Sequence, residues 1–115
     1  MASIQQLTQT GLTVRDDLQS KIDDGAFKGS ERNAFTRDHM LFTRRLAALE
    51  PPPHGETSPH YDGPLAALVQ AKEALEQCRP DNDASIQRAR TQVGAASREL
   101  ELLAGSRPVR FAGGL

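Results

Sequence analysis

The chain has 115 residues, of which 14 are basic and 15 are acidic, and its formal net charge is −1 at neutral pH. The length fits one small domain, and a net charge near zero does not favour non-specific binding to nucleic acids. No stretch approaches the roughly 18 consecutive apolar residues of a membrane span, and the single cysteine excludes a framework of intrachain disulfides.

Two amphipathic helices are predicted in the first half of the chain. The first spans residues 3–24, where Ser3 can cap the exposed amides of the first turn and Gly25 can adopt the left-handed conformation that ends a helix. The second spans residues 30–49, with Ser30 as its N-cap. Apolar residues recur on one face of each helix at spacings of three and four: Ile4, Leu7, Gly11, Val14, Leu18 and Ile22 on the first, and Phe35, Phe42, Leu46 and Leu49, with Ala34 and Leu41 beside them, on the second.

Two more helices are predicted in the second half. Gly63 and Pro64 suit the cap and first turn of a helix that extends to Cys78, and Asp83 can cap a last helix over residues 83–104. The apolar side of the third helix is marked by Leu65, Leu68, Val69 and Leu75. The fourth has the strongest pattern, close to three heptads: Ile86, Ala89, Val93, Ala96, Leu100 and Leu103.

These patterns predict an all-α protein in which two antiparallel helical hairpins are joined by a proline-rich linker and form a small four-helix bundle. The N-terminal hairpin covers residues 1–50, the linker 51–64 and the C-terminal hairpin 65–105, and residues 106–115 form an extended tail. Five of the fourteen linker residues are Pro and two are Gly, which favours a stiff, extended segment. A connection of that length leaves open the alternative that the hairpins splay apart and bind neighbours. No segment alternates apolar and polar residues, so no sheet is predicted.

No catalytic motif is present in the sequence. The densest polar cluster is Arg37, Asp38 and His39, but successive residues of a helix point about 100° apart and cannot converge on one substrate atom. Zinc sites usually pair ligands at two-to-four-residue spacing, such as CxxC or HxxxH, whereas the two linker histidines, His54 and His60, are six residues apart. The other possible ligands are His39, Glu56, Asp62 and Cys78. We therefore predict a protein that is not an enzyme and binds no metal or cofactor. Cys78 is interpreted as a small buried side chain, with an intermolecular disulfide as the alternative.

Basic residues are concentrated in residues 28–50, where five basic and three acidic side chains give a local charge of +2. Arg37 and Arg44 lie seven apart and share a helix face, and Arg45 is adjacent. The helices are too long for a helix-turn-helix reader of DNA, and none has the strongly basic face with aromatic anchors that binds a membrane surface. Neither nucleic acid nor membrane is therefore favoured as a partner, and the arginines are assigned to solubility and partner contacts.

The predicted tail supplies the candidate partner-binding residues, which are Arg107, Val109, Arg110 and Phe111. Arg107, Val109 and Phe111 fall two apart and would face the same side of an extended chain, and aromatic residues and Arg are common anchors of interfaces. The alternative is a frayed chain end.

The sequence thus predicts a non-enzymatic structural or adaptor subunit of a larger protein assembly, acting through helix packing and its extended tail. The expected partners are another protein or neighbouring subunits, self-association included. Size and helical pattern resemble virion or secretion-apparatus components as a class, although no motif carries that likeness. The alternative is a small regulator or inhibitor that binds one protein or a nucleic acid. We expect a location in the cytoplasm or within an assembly such as a virion, since the basic start and apolar run of a signal peptide are missing.

Overall fold

The computed structural model describes residues 1–49 and 56–106. Within them the chain forms four α-helices: α1 (Ile4–Asp23), α2 (Gly29–Ala47), α3 (Asp62–Gln77) and α4 (Asp83–Ser106). Helices α1 and α4 each pack against both α2 and α3. The all-α prediction is confirmed, and the two hairpins form one four-helix bundle rather than splaying apart.

Helices α1 and α3 lie side by side and run in the same direction. At the end where both helices begin, the Ala2 amide donates to Asp62 Oδ1 at 2.6 Å. At the end where both finish, Lys21 Nζ donates to the Cys78 carbonyl at 3.3 Å. Helices α2 and α4 form the second parallel pair on the other side of the bundle, so each helix has one parallel and one antiparallel neighbour.

The core is built mainly from the predicted apolar stripes. All six predicted residues of α1 are buried, and so are all six of α4. The prediction is wrong for Leu41 and Val69, whose side chains are 40% and 41% exposed. Each is the sequence neighbour of a fully buried residue, Phe42 or Leu68, and a helix turns its next side chain about 100° away from the core.

Two predicted helix ends are confirmed. The Ser3 hydroxyl accepts from the Gln6 amide at 3.0 Å, and the Gln6 side chain accepts in return from the Ser3 amide at 2.9 Å. This reciprocal capping box satisfies two donors that a helix start leaves exposed. After α1, Gly25 has a φ of +77°, the left-handed conformation in which a side chain is disfavoured.

Three predicted helix starts are shifted. The chain enters α2 through Gly29 at a φ of +60°, with Lys28 at the N-cap position, so Ser30 is not the cap. Helix α3 begins at Asp62, ahead of the predicted glycine-proline start. Before α4, Asn82 Oδ1 accepts from the Ser85 amide at 3.0 Å, which makes Asn82 rather than the following aspartate the cap.

The prediction of no sheet is wrong, because two short strands pair at the start of the bundle. Strand β1 (Ala2–Ser3) runs antiparallel to β2 (Thr57–Ser58), and a short 3₁₀-helix (Pro59–Tyr61) leads from β2 into α3. Tyr61 is 3% exposed and its hydroxyl donates to the Glu56 carboxylate. The second half of the predicted linker is therefore folded against the bundle. Strands of two residues are too short to show alternation in a sequence.

Phe27 is a core residue that the helical patterns do not reveal. It lies in the short connection between α1 and α2, is 1% exposed, and stacks on Phe35 with ring centroids 3.7 Å apart. Aromatic side chains bury large apolar areas, so the pair contributes strongly to a small core. The connection thus closes one end of the core.

Candidate docking surface

Helices α2 and α4 are joined by polar contacts along their shared seam. Arg45 donates from Nη1 to Ser97 Oγ at 2.8 Å and from Nη2 to Glu101 Oε2 at 3.0 Å. Farther along, Arg90 Nε lies 3.5 Å from Asp38 Oδ2. Ser97 is only 5% exposed, so the guanidinium satisfies a buried hydroxyl. These contacts fix the register of the two helices and the surface that they present together.

The outer face of α2 carries a stripe of four exposed side chains, Arg37, Met40, Leu41 and Arg44. Their spacing of three, one and three residues places them on adjacent turns of one helix face. Met40 is 57% exposed and Leu41 40% exposed. Two apolar side chains therefore sit between two guanidinium groups, neither of which forms an ion pair with any residue in 1–49 or 56–106.

Helix α4 extends this surface with Gly94 and Arg98. The cross-helix contacts of α2 and α4 bracket Leu41 on one helix and Gly94 on the other, so these two residues lie at a similar level of the bundle. A Cβ on Gly94 would meet no described atom within 4 Å outside its own stretch of helix, which leaves a shallow open position. Arg98 is exposed one turn farther along. We call the α2 stripe, Gly94 and Arg98 together the docking face.

The opposite side of the bundle has a cleft between α1 and α3. Its volume is about 390 Å³, and its lining is Gln9, Thr10, Thr13, Val69, Lys72, Glu73 and Glu76. A second hollow of about 280 Å³ shares Glu76 and is otherwise lined by Asp17, Ser20, Lys21, Asp24 and Leu75. Across the two linings four carboxylates outnumber two lysines. We call the two together the acidic cleft.

The surroundings of Asp17, on the α1 wall of the acidic cleft, disfavour its negative charge. Partial burial raises the pKa of Asp17, the carboxylate of Glu76 raises it further, and Lys72 partly opposes the effect. The charged form of Asp17 is thus disfavoured by its surroundings. A cation placed in this cleft by a partner would favour the charged form.

Charge is divided unevenly between the two parallel pairs. Helix α1 carries two basic and three acidic residues and α3 one basic and three acidic, a net charge of −3 for the pair. Helix α2 carries four basic and two acidic residues and α4 three of each, a net charge of +2. The small charge of the whole chain therefore hides two faces of opposite sign.

The cluster Arg37, Asp38 and His39 is not brought together by the fold. Arg37 is exposed, Asp38 pairs with Arg90 on α4, and His39 is half-buried with its Nε2 lacking a hydrogen-bond partner among the described residues. The three side chains have different surroundings, as their positions on a helix predict.

The candidate metal ligands are also dispersed. In residues 1–49 and 56–106 no group of three or more His, Cys, Asp or Glu side chains is arranged to hold a metal ion, and His54 lies outside the described residues. Cys78 is 3% exposed, and burial raises the pKa of its thiol. This is the small buried side chain that the sequence predicted, and its burial speaks against an intermolecular disulfide.

The predicted partner-binding residues Arg107, Val109, Arg110 and Phe111 lie outside the described residues. Sequence reasoning missed the α2 stripe as a surface, although it placed Arg37 and Arg44 on one face. The same helical spacing places two apolar residues on that face. Met40 and Leu41 lie between the arginines at helical spacing, on the side away from Phe42.

No protein-family model matches the chain, and comparison with curated proteins and with solved structures finds no significant match. Among the described residues, no helix combines the length and the apolar character needed to cross a bilayer.

Proposed function

We propose that this chain is a non-enzymatic structural or adaptor subunit of a larger protein assembly, and that the docking face is the surface through which it binds a neighbour. The observation that carries the proposal is the α2 stripe, in which exposed Met40 and Leu41 lie between the guanidinium groups of Arg37 and Arg44, neither of which has an ion pair within the described part of the chain. Single exposed apolar residues are ordinary, whereas adjacent ones framed by arginines resemble the composition of protein interfaces.

The chemistry of the docking face favours a protein partner over a nucleic acid. Phosphate groups would be bound by the arginines alone and would leave Met40 and Leu41 in water. A protein surface with carboxylates around an apolar centre would use both the cations and the apolar side chains. Met is also well suited to such contacts, because its flexible thioether adapts to irregular surfaces.

The C-terminal residues are a second proposed contact, supported by their sequence alone. Arg107, Val109 and Phe111 combine the residue types that anchor interfaces. Deleting residues 107–115 should leave the melting temperature of the isolated protein nearly unchanged but strongly reduce its incorporation into the native assembly. Phe111→Ala should reproduce much of that loss. Normal incorporation of the truncated chain would remove the tail from the proposal.

A photo-crosslinking amino acid at Met40 tests the docking face in the native source. The matched control places the same group at Arg32, which is exposed on α2 but outside the stripe. We expect the Met40 derivative to give one discrete, protease-sensitive adduct that the Arg32 derivative does not give. Equal labelling at both positions would contradict the proposal, and a nuclease-sensitive adduct would instead support the alternative of a nucleic-acid-binding regulator.

A further inference from the structure

We infer that the docking face binds the acidic cleft of a second copy of this chain, so that the subunits join head to tail. This inference rests on the proposed function, because it identifies the neighbour that the docking face contacts. It is carried by the complementarity of two surfaces on opposite sides of the same molecule.

The first element of complementarity is charge. The exposed guanidinium groups of the docking face include Arg37 and Arg44, which have no ion pair among the described residues. On the acidic cleft, the carboxylates of Asp17, Asp24 and Glu73 likewise have none. Each surface thus presents charges that its own fold leaves unpaired and that the other surface can neutralise. Such complementarity promotes encounter and fixes orientation.

The second element is spacing. Arg37 and Arg44 are seven residues apart on α2, which is roughly 10.5 Å at the rise of an α-helix. Asp17 on α1 and Asp24, the residue that caps the end of α1, are also seven residues apart along the chain. Met40 and Leu41 lie between the two cations. Val69 supplies an exposed apolar side chain on the cleft wall, so both surfaces combine apolar and charged groups.

The third element is the position of the two surfaces. A contact between two different faces of identical subunits is heterologous, and it continues from one copy to the next until a ring closes or a filament forms. The docking face belongs to the α2–α4 side of the bundle and the acidic cleft to the α1–α3 side. A subunit bound through one surface therefore keeps the other available.

Sedimentation equilibrium of the full chain tests the inference directly. We expect the mass to rise with protein concentration at roughly 0.01 M salt, and the association constant to fall at least about tenfold at roughly 1 M salt, where the Debye length is near 3 Å. The stripe variant R37Q/R44Q and the cleft variant D24N/E73Q should each be monomeric alone, and because they remove charge without reversing it, their altered surfaces cannot pair with each other. The control R32Q/R88Q changes two exposed arginines outside both surfaces, lowers the net charge by the same amount as the stripe variant, and should associate like the parent.

Mixing the two monomeric variants distinguishes head-to-tail contact from other modes. The stripe variant keeps a normal cleft and the cleft variant keeps a normal stripe, so together they should form 1:1 dimers and nothing larger. A stripe variant that still dimerises alone, or a mixture that stays monomeric while the parent associates, would overturn the inference.

A parent chain that is monomeric at every concentration would also overturn the inference, and the crosslinking at Met40 then reports separately on the proposed function. A crosslinked adduct to a different protein would support the docking face as a binding surface and identify that protein, rather than a second copy of this chain, as the partner. Absence of an adduct would remove both.

Discussion

The two parallel helix pairs of this bundle solve the same packing problem with different surface chemistry. Helices α2 and α4 are joined by hydrogen bonds and ion pairs, including the contacts of Arg45 with Ser97 and Glu101. Helices α1 and α3 leave a cleft between them in which partial burial and the nearby carboxylate of Glu76 disfavour the charged form of Asp17. Both pairs bury continuous apolar stripes, so the difference lies in the polar groups at the edges of the core.

This comparison indicates where the molecule is closed and where it is available for binding. On the α2–α4 side polar contacts join the two helices along the seam, and the arginines of the outer stripe form no ion pair with the residues that the structure describes. On the α1–α3 side the seam itself is open and unbalanced in charge. Polar groups that a fold leaves unpaired cost stability unless water or a partner satisfies them. The α2–α4 side is therefore suited to supply the cations of an intermolecular contact, and the α1–α3 side the carboxylates.

The largest expected effect comes from charging the apolar stripe of α4, on which both pairs depend. Val93 and Leu100 are fully buried, and Val93→Asp or Leu100→Asp would place a carboxylate in the core without a partner. Each should destabilise the fold by about 4 kcal/mol or more, with loss of helicity measured by circular dichroism. Arg98→Ala, on the exposed side of the same helix, should change little. Parent-like melting of both Asp variants would show that the stripe is not the core.

A structural feature of this bundle can be predicted from the sequence when neighbouring residues determine it, and not when it arises from tertiary contact. The stripes of α1 and α4 could be predicted in full because helical periodicity is written into adjacent residues. Ser3 and Gly25 were also predictable, since capping and helix termination depend on a few neighbouring residues.

Features that arise from tertiary contact could not be predicted in this way. Tyr61 and Phe27 lie outside helical patterns and are buried because the bundle ends need apolar covers. The strands Ala2–Ser3 and Thr57–Ser58 are defined by their pairing across more than fifty residues. The acidic cleft, likewise, exists only once α1 and α3 are side by side.

Alanine substitutions at two mid-helix glycines, Gly11 on α1 and Gly94 on α4, should give the next largest change in the free energy of unfolding. The two changes should have opposite signs. A Cβ on Gly11 would lie 2.5 Å from Leu46 Cδ1, whereas one on Gly94 would meet nothing within 4 Å. Gly11→Ala should therefore destabilise by about 1–2 kcal/mol, because overpacking outweighs the gain in helix propensity. Gly94→Ala should stabilise by about 0.5–1 kcal/mol. Denaturant unfolding measures both.

A double variant separates the close contact from other effects of Gly11. In a Leu46→Ala background the obstructing methyl groups are gone, so the further change Gly11→Ala should no longer be unfavourable. If Gly11→Ala costs the same with and without Leu46, the approach of α1 to α2 is not the reason for the glycine.

A smaller effect is expected at the α2–α4 seam. Arg45→Ala removes the donor to Ser97 Oγ, a buried acceptor, and should lower the free energy of unfolding by about 1 kcal/mol. Arg44→Ala, the adjacent exposed arginine, should lie within about 0.5 kcal/mol of the parent. Thermal melts in dilute solution compare them. Equal effects of the two substitutions would mean that the seam contact contributes nothing specific.

The smallest expected change in melting temperature comes from removing one carboxylate from each helix pair, Asp17 from α1–α3 and Asp38 from α2–α4. The two substitutions compare the charge balance of the two sides. The raised pKa of Asp17 means that the folded state holds its proton more tightly than the unfolded state, whose reference value is 3.8. The free energy of unfolding therefore falls as the pH rises from the pKa of Asp17 in the unfolded state through its raised pKa in the folded state. Above that range the loss of stability is constant. Asp17→Asn should slightly raise the melting temperature at pH 7, and the gain should vanish below about pH 3.8.

Asp38→Asn should instead lower the melting temperature at pH 7, because it removes the ion pair with Arg90. The expected effect is about 0.2–1 kcal/mol for a partly exposed pair. If both substitutions lowered the melting temperature at pH 7, the Asp17 carboxylate would have a favourable partner and the α1–α3 seam would be as balanced as the seam opposite.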